Sequence, residues 1–225
     1  MQSSRLRNRL LAQTGHYRAA TAYCGVRSHM NLSERLAAAN KLATDFDVEM
    51  NGVNTPSSEK ELIAAALLDQ AQEHSRSMIK LIEVDLPGSA FALARVSFET
   101  AVRGIWILRC ATPGEVEKYK TEKLEKTFAA ILNEIETFYG ANGQILTHVK
   151  TSYWSSLCSY THGGYLQACR RLSPGEVSPR YTDEEKAEMV RFSEFTYFLA
   201  AVEIFQLVGN LESAKRWVAK FQSRK

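Results

Sequence analysis

The segment Ser89–Cys110 constrains this chain more than any other. Phe91, Leu93, Val96, Phe98, Val102, Ile105, Ile107 and Leu108 recur at helical spacing, and they cover every side of the helix they would form. A helix that is apolar all round has to be wrapped by neighbours, so it belongs in the middle of a bundle. The rest of the sequence supplies the wrapping. Of 225 residues only 12 are Gly and 5 are Pro, too few breaks for a turn-rich sandwich or barrel. A hydrophobic fraction of 45% with 24% charged residues excludes disordered and collagen-like classes.

The breaks that exist fall between amphipathic stretches. Leu32, Leu36, Leu42, Phe46 and Met50 form one stripe, capped by Asn31 or Ser33 and closed by Asn51-Gly52. Thr55-Pro56, with Ser58 and Glu61, opens a second helix that stops at Pro87-Gly88. After the central segment, Thr112-Pro113-Gly114-Glu115 opens a fourth helix, which the pattern carries on through Leu124 and Phe128 to Phe138. A fifth runs from Gln144 to Thr161, with a short continuation through Leu166 and Cys169 after His162-Gly163-Gly164. Ser173–Pro179 reads as a loop. Thr182 and Glu185 open a sixth helix, and Leu211, Trp217 and Phe221 mark a short last one. No strand pattern or internal repeat appears, so the expectation is all-α: a single helical bundle of about six or seven helices, one domain over 30–225.

Residues 1–29 stand apart. They hold Arg5, Arg7, Arg9, Arg18 and Arg27 and no acid, a charge of +5 against +3 for the whole chain. The segment reads as a transit peptide, a disordered arm or, on the plainest reading, a misassigned start ahead of Met30. The body is left at −2, which weakens any case for strong nonspecific nucleic-acid binding. Cys24, Cys110, Cys158 and Cys169 have no CxxC spacing and fit thiols in a reducing compartment. No segment is long and apolar enough to span a bilayer, so the expected location is cytoplasmic. No metal-ligand spacing, phosphate loop or dinucleotide fingerprint is present; neither metal nor cofactor is expected.

Two constellations carry possible chemistry. Arg95, Glu99 and Arg103 lie at i, i+4 and i+8 on the central helix, each step turning roughly 40° past a full circle, so they share a face, and Trp106 falls on it too. Buried ions cost several kcal/mol each before pairing, so such a stripe is either a packing network or a site for an anion. Glu203, inside an apolar run, is read as facing this stripe or solvent. The second constellation is Tyr160-Thr161-His162-Gly163-Gly164, where two Gly end a helix just after an imidazole. Its bland reading is a C-cap; its functional reading is a general acid or base. Gln167, Arg170 and Arg171 follow within a turn or two.

The stretch Gly88–Arg95, with Phe98-Glu99 and Arg103-Gly104-Ile105-Trp106, and the stretch Trp154–Gly164 resemble a family of uncharacterised bacterial helical proteins, over Met30 to about residue 220. More remotely the chain resembles the HEPN and abortive-infection proteins, many of them dimeric, metal-independent ribonucleases or toxins in phage defence. HEPN ribonucleases carry an Arg a few residues before their His; here Ser155, Ser156 and Leu157 stand there. The pair Arg9 and His16 has the spacing but lies in the basic tail. The resemblance implies an HEPN-like up-down core and an endoribonuclease or growth-arresting toxin. It does not transfer residue by residue, so the Arg has to come from another helix, as Arg95 or Arg103. Read from the residues themselves, His162, Arg103, Arg95 and Glu99 are the expected catalytic set, with Tyr160, Gln167 and Arg170 binding substrate. The implied partners are RNA, an antitoxin or other protein, and a second copy in a homodimer. The competing expectation is a noncatalytic helical module that binds a protein or a small anion.

Overall fold

The structure, a computed structural model, describes residues 30–54, 56–140 and 145–222. Among them the chain forms nine helices and one minimal hairpin, and no helix is long and apolar enough to cross a membrane. The Arg-rich segment 1–29, with its Arg9 and His16, lies outside the described residues.

Helix α1 (Leu32–Met50) starts at Asn31, whose side chain accepts from Glu34 N while Glu34 returns a bond to the Asn31 backbone. The Ser58 hydroxyl caps α2 (Glu59–Glu83), accepting from Glu61 N and donating to the Glu61 carboxylate. A tight turn leads to α3 (Pro87–Arg109). Asp85 takes the left-handed position there (φ +54°), and Leu86 N bonds back to Leu81 O, which closes the end of α2. Short connections of this kind force neighbouring helices to run antiparallel, and α2 and α3 share the most extensive contact in the molecule.

The expected helix from Thr112 to Phe138 is two: α4 (Pro113–Lys120) and α5 (Phe128–Tyr139). Glu122 adopts φ +56° and Lys123 N bonds to Lys118 O, the same closing geometry as at Asp85, and Thr127 caps the new start. Lys126 pins the link between them. Its ammonium lies 2.5 Å from Glu115, 2.6 Å from Glu134 and 4.9 Å from the centre of the Trp106 ring. Then follow α6 (Ile145–Thr161), α7 (Tyr165–Cys169) and strands β1 (Leu172–Ser173) and β2 (Glu176–Val177), which pair antiparallel where a loop was expected. The chain ends in α8 (Asp183–Leu207), opened by the Thr182–Glu185 box, and α9 (Leu211–Gln222).

Helix α3 is central as expected, but it shares that position with α8. Both pack against α2 and against each other, and α8 also carries α1 and α9. Gly104 sets the closeness of α2 and α3: a Cβ there would stand 2.9 Å from Leu68 Cγ. Because α8 is enclosed from Met189 onward, the acids in that part, Glu194 and Glu203, are enclosed too. Glu203 is 2% exposed and meets neither Arg95 nor solvent; it takes Arg109 at 2.8 Å and the Tyr139 hydroxyl. Glu194 pairs with Arg35 at 3.0 Å, both side chains almost fully buried.

Candidate functional site

The site is built where α6 crosses the first half of α3. The Arg95 and Glu99 side chains emerge one turn apart, and Arg95 Nε donates to Glu99 Oε1 at 2.6 Å. That bond aims the rest of the guanidinium at α6. There Nη1 lies 2.5 Å from His162 Nε2 and 3.4 Å from Cys158 Sγ, one helical turn apart on the same face. The guanidinium also sits over Trp154, 4.8 Å from the ring centre, and Trp154 is stacked on Phe128 from α5. Arg95 is therefore fixed by a carboxylate, an imidazole, a thiol and an indole.

A guanidinium only donates. His162 therefore accepts at Nε2, and its ring proton sits on Nδ1. The ring itself is exposed, whereas the Arg95 and Glu99 side chains are only 21% and 24% exposed. The result is a half-buried ion pair presenting an imidazole to solvent. The helix end explains the presentation. Gly163 has φ +66° and Gly164 N bonds to Ser159 O at 2.7 Å, a Schellman closure with His162 at the C-cap. Gly164 also has no room for a side chain, since a Cβ would meet Ser159 Oγ at 2.4 Å. The capping reading and the exposed imidazole thus hold together.

The structure divides the seven sequence-predicted residues. Arg95, Glu99 and His162 come together. Arg103 does not: two turns further along α3, about 12 Å from Arg95 by helical rise, it lines a separate recess with Tyr119, Lys120, Glu122 and Leu124. It has no hydrogen bond or ion pair among the described residues. Trp106 is fully buried and donates to Glu134 at 2.7 Å. The expected ionic triad is a pair, and it is half-buried rather than sealed. Tyr160 points to the other side of α6 from His162, since two residues turn a helix by roughly 200°. There it meets Phe91 and Arg170, and Arg170 also pairs with Glu185. These two contacts, the Tyr160 hydrogen bond foremost, hold the Arg170 guanidinium firmly charged. Gln167 reaches the Gly88 carbonyl at 3.5 Å. Sequence reasoning missed Cys158, which lies in the quoted Trp154–Gly164 stretch; the i, i+4, i+8 spacing of Trp154, Cys158 and His162 was the signal that could have found it.

No group of His, Cys, Asp and Glu among the described residues is arranged to hold a metal ion. Among the described residues the His148 ring reaches only Ser152, at 3.5 Å. Cys110, Cys158 and Cys169 are free thiols, and burial pushes Cys110 up to about 12.

No curated protein and no solved structure matches the chain significantly. One family profile does, over residues 68–224, which takes in α3, α6 and every residue of the site. The chain belongs to DUF6988, a family of unknown function.

Proposed function

We propose that the chain is an endoribonuclease that works without a metal, with His162 and Arg95 as its catalytic pair, and that it serves as a growth-arresting component of a bacterial defence or stress system. The observation that carries this reading is the contact of Arg95 Nη1 with His162 Nε2 at an exposed helix end. The two helices supply the Arg and the imidazole that the HEPN resemblance calls for within a single motif.

A phosphodiester entering this corner would be drawn to Arg95, which suits a phosphate oxygen through its fork of donors. That exchange frees Nε2. Nε2 then takes the proton of the ribose 2′-hydroxyl, the 2′ oxygen bonds to phosphorus, and the bond from phosphorus to the 5′ oxygen breaks. The leaving 5′ oxygen takes up a proton from water at this exposed corner and the His162 imidazolium then returns its proton to solvent, giving a 2′,3′-cyclic phosphate and a 5′-hydroxyl end. Arg95 offsets the negative charge that builds on the phosphoryl oxygens. Glu99 is a positioning residue: its bond to Nε orients the guanidinium and balances its charge when His162 becomes cationic.

The test is cleavage of a fluorescent single-stranded RNA, in EDTA, by wild type, His162→Ala and Arg95→Ala. Both variants are expected to lose about 100-fold or more in rate while keeping helicity and melting temperature. Equal cleavage by all three sinks the reading. The noncatalytic alternative has one observation in its favour, the Schellman closure that accounts for Gly163 without chemistry. It predicts that none of the three proteins cleaves RNA.

A further inference from the structure

On the far side of α6 from His162, a cavity of about 350 Å3 opens between α3, α6 and α8. We propose that it is a binding site for a small uncharged aromatic molecule carrying one hydrogen-bonding group. Three observations lead there, none of which depends on the ribonuclease reading.

The first is the wall. Phe91, Tyr153, Tyr160, Phe192 and Phe195 face the cavity together with Met189. Phe91 and Tyr160 are already tilted against each other at 5.0 Å, the arrangement in which a further ring finds both faces and edges to pack on. The Met189 thioether adds an adaptable contact suited to a flat ligand. The volume lies at the lower end of the range for small-molecule sites, enough for a molecule of two or three rings.

The second observation is charge. Five ionic side chains line the cavity, and each is already spoken for. Arg170 pairs with Glu185 and Arg191 with Glu188. Glu184 stands in the first turn of α8, where bonds from its own backbone and from Thr182 hold its carboxyl below the usual range. A charged ligand would have to compete with these partners, whereas a neutral one leaves all three arrangements intact.

The third is Ser156. It lies on the wall, half-buried, and its hydroxyl has no hydrogen-bond partner among the described residues. It is the polar handle that would fix a ligand's orientation.

The probe is N-phenyl-1-naphthylamine, a neutral fluorophore with one N–H that brightens on leaving water. Titration of the full chain should give saturable brightening at one site per protein. Its sulfonated relative, 1-anilinonaphthalene-8-sulfonate, should bind about tenfold more weakly or worse. Ser156→Phe, which fills the cavity from its wall, should abolish binding of the neutral probe with the fold retained. As a measurement that needs no variant, labelled methionine methyl groups report the location: Met189 should shift with probe while Met50, in a separate groove beside the end of α1, stays put. Non-saturable brightening, equal or tighter binding of the sulfonate, binding retained in folded Ser156→Phe, or a shift at Met50 instead of Met189 would each overturn the proposal.

Discussion

Glu99 and Glu203 each pair with an arginine, and their surroundings make them opposite cases. The Glu203 side chain is 2% exposed, and its loss would leave Arg109, itself 10% exposed, without its counterion in the core. Stranding a buried charge costs about 3–5 kcal/mol, so Glu203→Ala should lower stability by that much in chemical denaturation. Glu99→Ala should cost about 1 kcal/mol or less, because water reaches both partners. A reversed order would mean that the two pairs are wrongly placed. Glu115 adds a pH dependence. The Lys126 ammonium, with the Thr112 backbone behind it, holds its carboxyl down from 4.5 to about 2. A depressed carboxylate stabilises the fold above its unfolded value, and that stability drains away as pH falls from about 4.5 toward 2. Wild type should therefore lose more melting temperature than Glu115→Gln between neutral pH and about pH 2; parallel curves would contradict this. At this scale the sequence made the Arg95–Glu99 pair readable, because i, i+4 spacing on one helix fixes it locally. It could not show that Arg103 is separated, since which neighbour covers each turn of α3 is a tertiary fact. Nor could it show that Glu203 meets Arg109 and Tyr139, whose positions are far apart in the chain.

At the scale of elements, the helix starts were the most legible feature. Asn31, Ser58, Thr112 and Thr182 cap where the capping patterns place them, because a cap is decided within four residues. The break between α4 and α5 was hidden. It depends on Glu122 adopting a left-handed conformation that non-Gly residues rarely take, and on Lys126 reaching Trp106 and two acids. The hairpin at 172–177 was hidden because two-residue strands have no periodicity to read. Gly104 gives this scale its prediction. In an exposed helix Gly→Ala gains about 1 kcal/mol. Here the added methyl would press on Leu68, which is fully buried and cannot swing away. Overpacking of this kind costs about 1–3 kcal/mol, so Gly104→Ala should be net destabilising in thermal melts, and a rise in melting temperature would show that α2 and α3 are not so closely packed.

For the whole molecule, the all-helical class and the central place of the Ser89–Cys110 segment were legible, since an apolar circumference has to be wrapped by neighbours. The organisation of the two candidate sites was not. Helix α6 turns His162 and Cys158 toward Arg95 on one side and Leu157 and Tyr160 toward the aromatic cavity on the other. A linear motif such as Tyr160–Gly164 merges these two faces, and only the neighbours α3 and α8 tell them apart. The central proposal is that His162 and Arg95 act as one unit on RNA. Its most direct test is a double-mutant cycle on RNA cleavage with His162→Ala, Arg95→Ala and the combination. Residues that act as a unit are not additive, so each single variant should lose nearly as much rate as the pair. Losses that simply multiply, or single variants that cleave as fast as wild type, would contradict it.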